Sequence, residues 1–148
     1  MVNLESILSD WEKDCKIDES NLSRTSVDTA KLHAKYLQLL SVNKLQLKKA
    51  DLKQKILLKD KWLYYNNKMS QDEIEAKGWE YDPFKGLKIM KGDMNYYYDS
   101  DIDIQKSEEL LTYYKTVVDT LQEIVTSLNW RHQTIGNIIK WKQFEAGG

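Results

Sequence analysis

Apolar residues recur at helical spacing through most of this chain. After Asn3, a residue suited to cap a helix, Leu4, Ile7, Leu8, Trp11 and Cys15 fall on one face. Residues 17–21 read as a connection, with Asp18 or Ser20 placed to cap the next helix. Residues 20–66 then read as helix almost throughout. Val27, Ala30, Ala34, Leu37 and Leu40 or Ser41 keep one apolar face in the first half. Leu45, Leu52, Ile56 and Leu63 continue one in the second half. Helix propensity dips at Ser41, Val42 and Asn43, the one place where a kink or break is expected.

Residues 70–107 lose this periodicity. They hold Gly78, Pro83, Gly86 and Gly92, and the run Asp82-Pro83-Phe84-Lys85-Gly86 signals a turn. Residues 87–98 suit either a short β-hairpin or an irregular loop ordered by its aromatics. Helical spacing resumes near Ser107 and runs through Leu110 or Leu111, Tyr114, Leu121 and Leu128, with a candidate interruption at residues 129–131. A last apolar pattern, Ile135, Ile138, Ile139 and Phe144, lies close to the end of the chain. It suits burial against another subunit or against the chain's own core. The pattern predicts a mainly all-α fold: one elongated helical domain over residues 1–148. Residues 1–68 form N-terminal helices, 69–106 a loop-rich acidic insert, and 107–148 a C-terminal helical region suited to oligomerisation.

Charge changes this picture at one place. The net charge is only -1, yet residues 44–68 carry eight lysines against Asp51 and Asp60. Residues 71–109 are acidic in turn, with eleven acids and five lysines. A polyanion responds to the local field, so the near-neutral total does not exclude one as partner. Lys44, Lys48, Lys55 and Lys59 follow one helical stripe, one residue ahead of the apolar row, and Lys61 follows them. Trp62, Tyr64 and Tyr65 come next, suited to stack on bases or to pack internally. Packing weighs more for Trp62, so the two tyrosines join the lysines as candidate DNA contacts.

Little else carries chemistry. Cys15 lies on the apolar face of the first helix and reads as a small core residue in a reducing compartment. His33 and His132 have no ligand spacing. Asp99, Asp101 and Asp103 resemble the start of a calcium loop, but Ile104 stands where that loop needs glycine and Leu110 where it needs glutamate. Phosphate-loop patterns are absent. No stretch approaches the roughly 18 apolar residues of a membrane span, and the first residues lack a secretory pattern. The reading is a soluble protein with no enzyme activity, metal or cofactor.

Four short segments then point to a family. Ile17-Asp18 with Leu22, Ala34-Lys35-Tyr36-Leu37 with Ser41, Leu58-Lys59-Asp60-Lys61 ahead of Tyr64-Tyr65, and Phe144-Glu145-Ala146-Gly147 occur in order. The chain resembles the UvsY recombination mediator family of T-even-type bacteriophages. The third segment matches that family's DNA-binding motif, with Lys61 where the family carries arginine and Trp62-Leu63 where it carries a leucine–acid pair. Residues 67–106 match poorly.

The resemblance implies a homo-oligomeric ring, a hexamer or heptamer, in the cytoplasm of the infected bacterium. Its implied partners are single-stranded DNA, a phage RecA-like recombinase and the phage single-stranded-DNA-binding protein. Such a mediator loads the recombinase onto covered DNA during recombination, repair and recombination-dependent replication. The expected DNA contacts are Lys59, Lys61, Lys55, Lys48, Lys44, Tyr64 and Tyr65. The expected subunit interface is Ile135, Ile138, Ile139 and Phe144. The alternative function is a helical scaffold whose basic stripe pairs with the acidic segment of a neighbour.

Overall fold

The first helix, α1 (Leu4–Asp14), begins where Asn3 caps it, the Oδ1 of Asn3 accepting from the Glu5 amide at 2.8 Å. A computed structural model describes residues 3–147. It continues with α2 (Leu22–Tyr65), α3 (Gln71–Ala76), a 3₁₀ turn (Lys91–Asp93), α4 (Met94–Ser100) and α5 (Ile102–Glu145). Among the described residues there is no strand, which confirms the all-α reading and removes the β-hairpin as an option for residues 87–98. Met94, Tyr97 and Tyr98 lie three and four residues apart, and all three pack on one aromatic cluster as a helix face. A strand would have sent Tyr97 and Tyr98 to opposite sides.

The chain divides into two compact units: Gln46–Tyr113 is one, and the residues before and after it form the other. In the terminal unit Asn21, not Asp18 or Ser20, caps α2, its Oδ1 accepting from the Arg24 amide at 3.1 Å. Asp18 and Ser20 instead bond each other and shape the preceding turn. The core takes Ile7 from α1, Tyr36 and Leu40 from α2, and Val117, Leu121, Ile124, Leu128 and Ile135 from α5. Tyr36 meets Trp11 edge-on at 5.5 Å, and its hydroxyl donates to Asp14 at 2.7 Å.

This core corrects the face expected of α2. Of the expected row, Val27, Ala30, Ala34, Leu37 and Ser41 are exposed and only Leu40 is buried, on a side it shares with Thr25, Tyr36 and Asn43. The polar members of the buried row are satisfied within the helix: Thr25 Oγ1 donates to the Asn21 carbonyl at 2.9 Å, and Asn43 Nδ2 to the Leu39 carbonyl at 2.8 Å. α2 runs unbroken through the Ser41 region. α5 is likewise continuous through residues 129–131. Its buried Arg131 donates to the carbonyls of Asp14 and Lys16 at 2.8 and 3.0 Å, serving the end of α1. Cys15 is exposed, because α1 ends one residue before it.

In the unit Gln46–Tyr113, α2 ends in a Schellman turn. Lys68 N donates to the Leu63 carbonyl at 2.8 Å, with Asn67 in the left-handed region. α3, capped by Ser70, ends the same way with Gly78 at φ 71°. Between these stops sits a small aromatic core of Tyr64, Tyr65 and Ile74, packed by Trp79, Phe84, Tyr97 and Tyr98. Each such ring pair adds about 0.5–1.5 kcal/mol beyond area burial. The expected apolar row on this half of α2 is again mostly uncovered: Leu52 and Ile56 are exposed and Leu63 is half-buried, while the buried positions are Ala50, Lys61, Tyr64 and Tyr65.

Candidate nucleic-acid interface

The basic stretch folds as helix, and the helix sorts its lysines. Lys48, Lys55 and Lys59 project into solvent, their side chains 65%, 65% and 68% exposed. Steps of seven and four keep the three within about 40° of one another. Lys44, further back on α2, is exposed as well. Asp51 lies 3.7 Å from Lys48 and 3.4 Å from Lys55, and Asp60 lies 3.9 Å from Lys59. Ion pairs this wet contribute at most about 1 kcal/mol, so phosphates can compete for the same ammonium groups.

Lys61 stands about 200° from Lys59 on the helix and points inward. It is 3% exposed. Its Nζ lies 2.9 Å from Asp101, 3.0 Å from Asp103 and 3.8 Å from the centre of the Trp79 ring. The expected DNA contact at Lys61 is therefore corrected: its charge is already neutralised inside the fold. Tyr64 and Tyr65 are corrected for the same reason. Both are buried, the Tyr64 hydroxyl donating to the Glu80 carbonyl and the Tyr65 hydroxyl to Asp101 at 2.6 Å. Burial first, and then the bond to Asp101, raises the Tyr65 phenol above its usual range.

Asp101 is the hub that sequence reading missed. One carboxylate oxygen accepts from the amides of Asp103 and Ile104, both at 3.0 Å, and so starts α5 five residues before the periodicity suggested. The other meets Lys61 and Tyr65. Burial pushes its pKa up, but the bonds from Tyr65, Lys61 and Ile104 outweigh burial and hold it below the usual carboxylate value. The signal in the sequence was Asp101 itself, a favoured N-cap residue, with Asp103 placed as an acid in the first turn. Among the described residues no three His, Cys, Asp or Glu side chains converge on a metal position.

The residues expected at a subunit interface divide too. Ile135 is buried in the core of the terminal unit and is corrected as an interface contact. Ile138 is half-buried, and Ile139 and Phe144 are exposed. Trp141, missed from sequence, is 62% exposed and stacks on Phe144 at 5.5 Å. Trp130, also exposed, falls within about 60° of both on α5.

A row of exposed lysines along one long helix is the kind of surface that binds a polyanion. The chain belongs to the UvsY family, whose model, described as recombination, repair and ssDNA binding protein UvsY, matches residues 10–148. The recombination protein uvsY of Enterobacteria phage T4 is 24% identical over 146 residues, 99% of each chain. The fold matches crystal structures of the bacteriophage T4 recombination mediator protein UvsY. One lattice form gives a TM-score of 0.84 at 23% identity over 99% of both chains. A second gives 0.80 at 22% identity over 95% of this chain and 98% of that one. The family description names binding and recombination, and no catalysed reaction. No helix among the described residues is long and apolar enough to cross a membrane.

Proposed function

We propose that this chain is a recombination mediator. It binds single-stranded DNA as a homo-oligomeric ring and helps a RecA-like recombinase displace a single-stranded-DNA-binding protein, in the cytoplasm of an infected bacterium. The observation that carries the reading is the exposed row Lys48, Lys55 and Lys59 on an unbroken helix. Lys44 extends the supply of exposed lysines. A few lysines per subunit bind weakly at physiological salt, and a ring repeats them along one strand. Family membership supports the DNA and recombination roles, and likeness to the T4 recombination mediator supports mediation.

The uncovered faces support assembly. Val27, Ala30, Ala34 and Leu37, and separately Ile139, Trp141 and Phe144, leave apolar surface in water that a neighbouring subunit can cover. Lys61, by contrast, finds its acids within its own subunit, which removes it from the scaffold alternative in which the basic stripe pairs with a neighbour.

The test is anisotropy of labelled oligo-dT at several salt concentrations, beside a Lys55→Ala/Lys59→Ala variant. The expected result is salt-sensitive binding that the variant loses while light scattering shows its oligomer intact. Each lost phosphate contact lowers the slope of log K against log salt by roughly 0.7. Recombinase ATPase on covered single strands, stimulated by the chain and not by the variant, then tests mediation. A variant that keeps DNA binding but loses its oligomer supports the scaffold alternative instead.

A further inference from the structure

We infer that Trp62 is the base-stacking residue of the lysine face of α2, an inference that rests on the DNA-binding reading above. The two tyrosines next to it are spent on the fold, with rings in the aromatic core and hydroxyls hydrogen-bonded. Trp62 is 47% exposed, although it sits a few residues from a core that takes in Tyr64, Tyr65 and Trp79.

Helix geometry places Trp62 with the lysines. It follows Lys55 by seven residues and Lys48 by fourteen, offsets of about 20° and 40°, and follows Lys59 by three, about 60°. The row from Lys48 to Trp62 rises about 21 Å along one side of the helix. Lys68 Nζ lies 5.5 Å from the centre of the indole, so a cation also borders the ring on the far side of the helix end. An exposed indole in line with phosphate-binding ammonium groups is the arrangement that holds single strands without reading their sequence. The lysines take the backbone, and the ring takes the face of any base.

The experiment compares a labelled oligo-dT with an abasic oligonucleotide of equal length, using the full chain and the variants Trp62→Ala, Trp62→Phe and Lys59→Ala. Trp62→Ala is expected to weaken oligo-dT binding roughly ten-fold or more, the size of one lost stack, with the salt slope unchanged. On the abasic strand it is expected to change nothing, and Trp62→Phe is expected to recover most of the loss. Lys59→Ala is expected to weaken both ligands and lower the slope by roughly 0.7. Equal losses on the two strands, or no loss, overturn the assignment while leaving DNA binding standing. A Trp62→Ala protein whose oligomer dissociates in light scattering also overturns it, because Trp62 is then a subunit contact. If the unmodified chain binds neither strand, the DNA-binding reading itself fails.

Discussion

Lys59 and Lys61 show how far two residues of one motif can diverge in role. Both are lysines in a basic stretch, but one ammonium stands in water and the other between two carboxylates and an indole ring. Lys61→Ala leaves Asp101 buried without its counter-charge, so a stability loss of about 3 kcal/mol or more is expected by chemical denaturation. Lys59→Ala is expected to stay within about 0.5 kcal/mol of the unmodified chain. Asp101 gives the acid dependence. Its folded pKa lies below the unfolded value, so the stability it contributes is present above about pH 4 and lost as pH falls through the folded pKa. Asp101→Asn is expected to lower the urea midpoint near neutral pH and to flatten its fall in acid. The pairing was not legible from charge alone, because sequence shows how many lysines there are and not which of them meets an acid forty residues later.

At the scale of elements, the sequence showed two long helices and a break in pattern between them, and the structure contains both. It misled about which side of α2 is covered. Aliphatic spacing picked Val27, Ala30, Ala34, Leu37 and Leu40 or Ser41, of which only Leu40 is buried, in a row with Thr25, Tyr36 and Asn43. Thr25 and Asn43 are tolerated inside because each bonds a backbone carbonyl one turn back, which a hydropathy pattern does not register. The continuity of α2 at Ser41 is testable. Ser41→Pro removes a helix hydrogen bond at an exposed site and is expected to cost about 3 kcal/mol, read by thermal unfolding. Ser41→Ala is expected to be neutral or slightly stabilising, since alanine is the better helix former.

For the whole molecule, the charge map reads differently once folded. The acidic segment is not simply a counterweight to the basic helix: it takes Lys61 out of play, and Lys77 of the same region pairs with Asp60, while the lysine row is left outward. Truncating the chain at Trp130 would remove the buried Arg131 and Ile135 and so unfold the terminal unit rather than test assembly. Trp141→Ser with Phe144→Ser is the cleaner change, since both rings are exposed in the single chain. Smaller oligomers with an unchanged helical circular dichroism spectrum are expected by analytical ultracentrifugation. The aromatic unit within Gln46–Tyr113 was half legible: nine of the aromatics cluster between residues 62 and 98, but the turns that close them depend on Asn67 and Gly78 adopting left-handed backbone.

The hub at Asp101 has a consequence for inheritance. Lys61 and Tyr65 both depend on Asp101, and Lys61 also on Asp103, so a change at Asp101 is expected to be matched by changes at Lys61 and Tyr65 among relatives. A chain with no acids where Asp101 and Asp103 stand has nothing to hold an inward lysine at the motif's last position. There the residue is expected to face outward, so that the same four-letter signature describes a different surface.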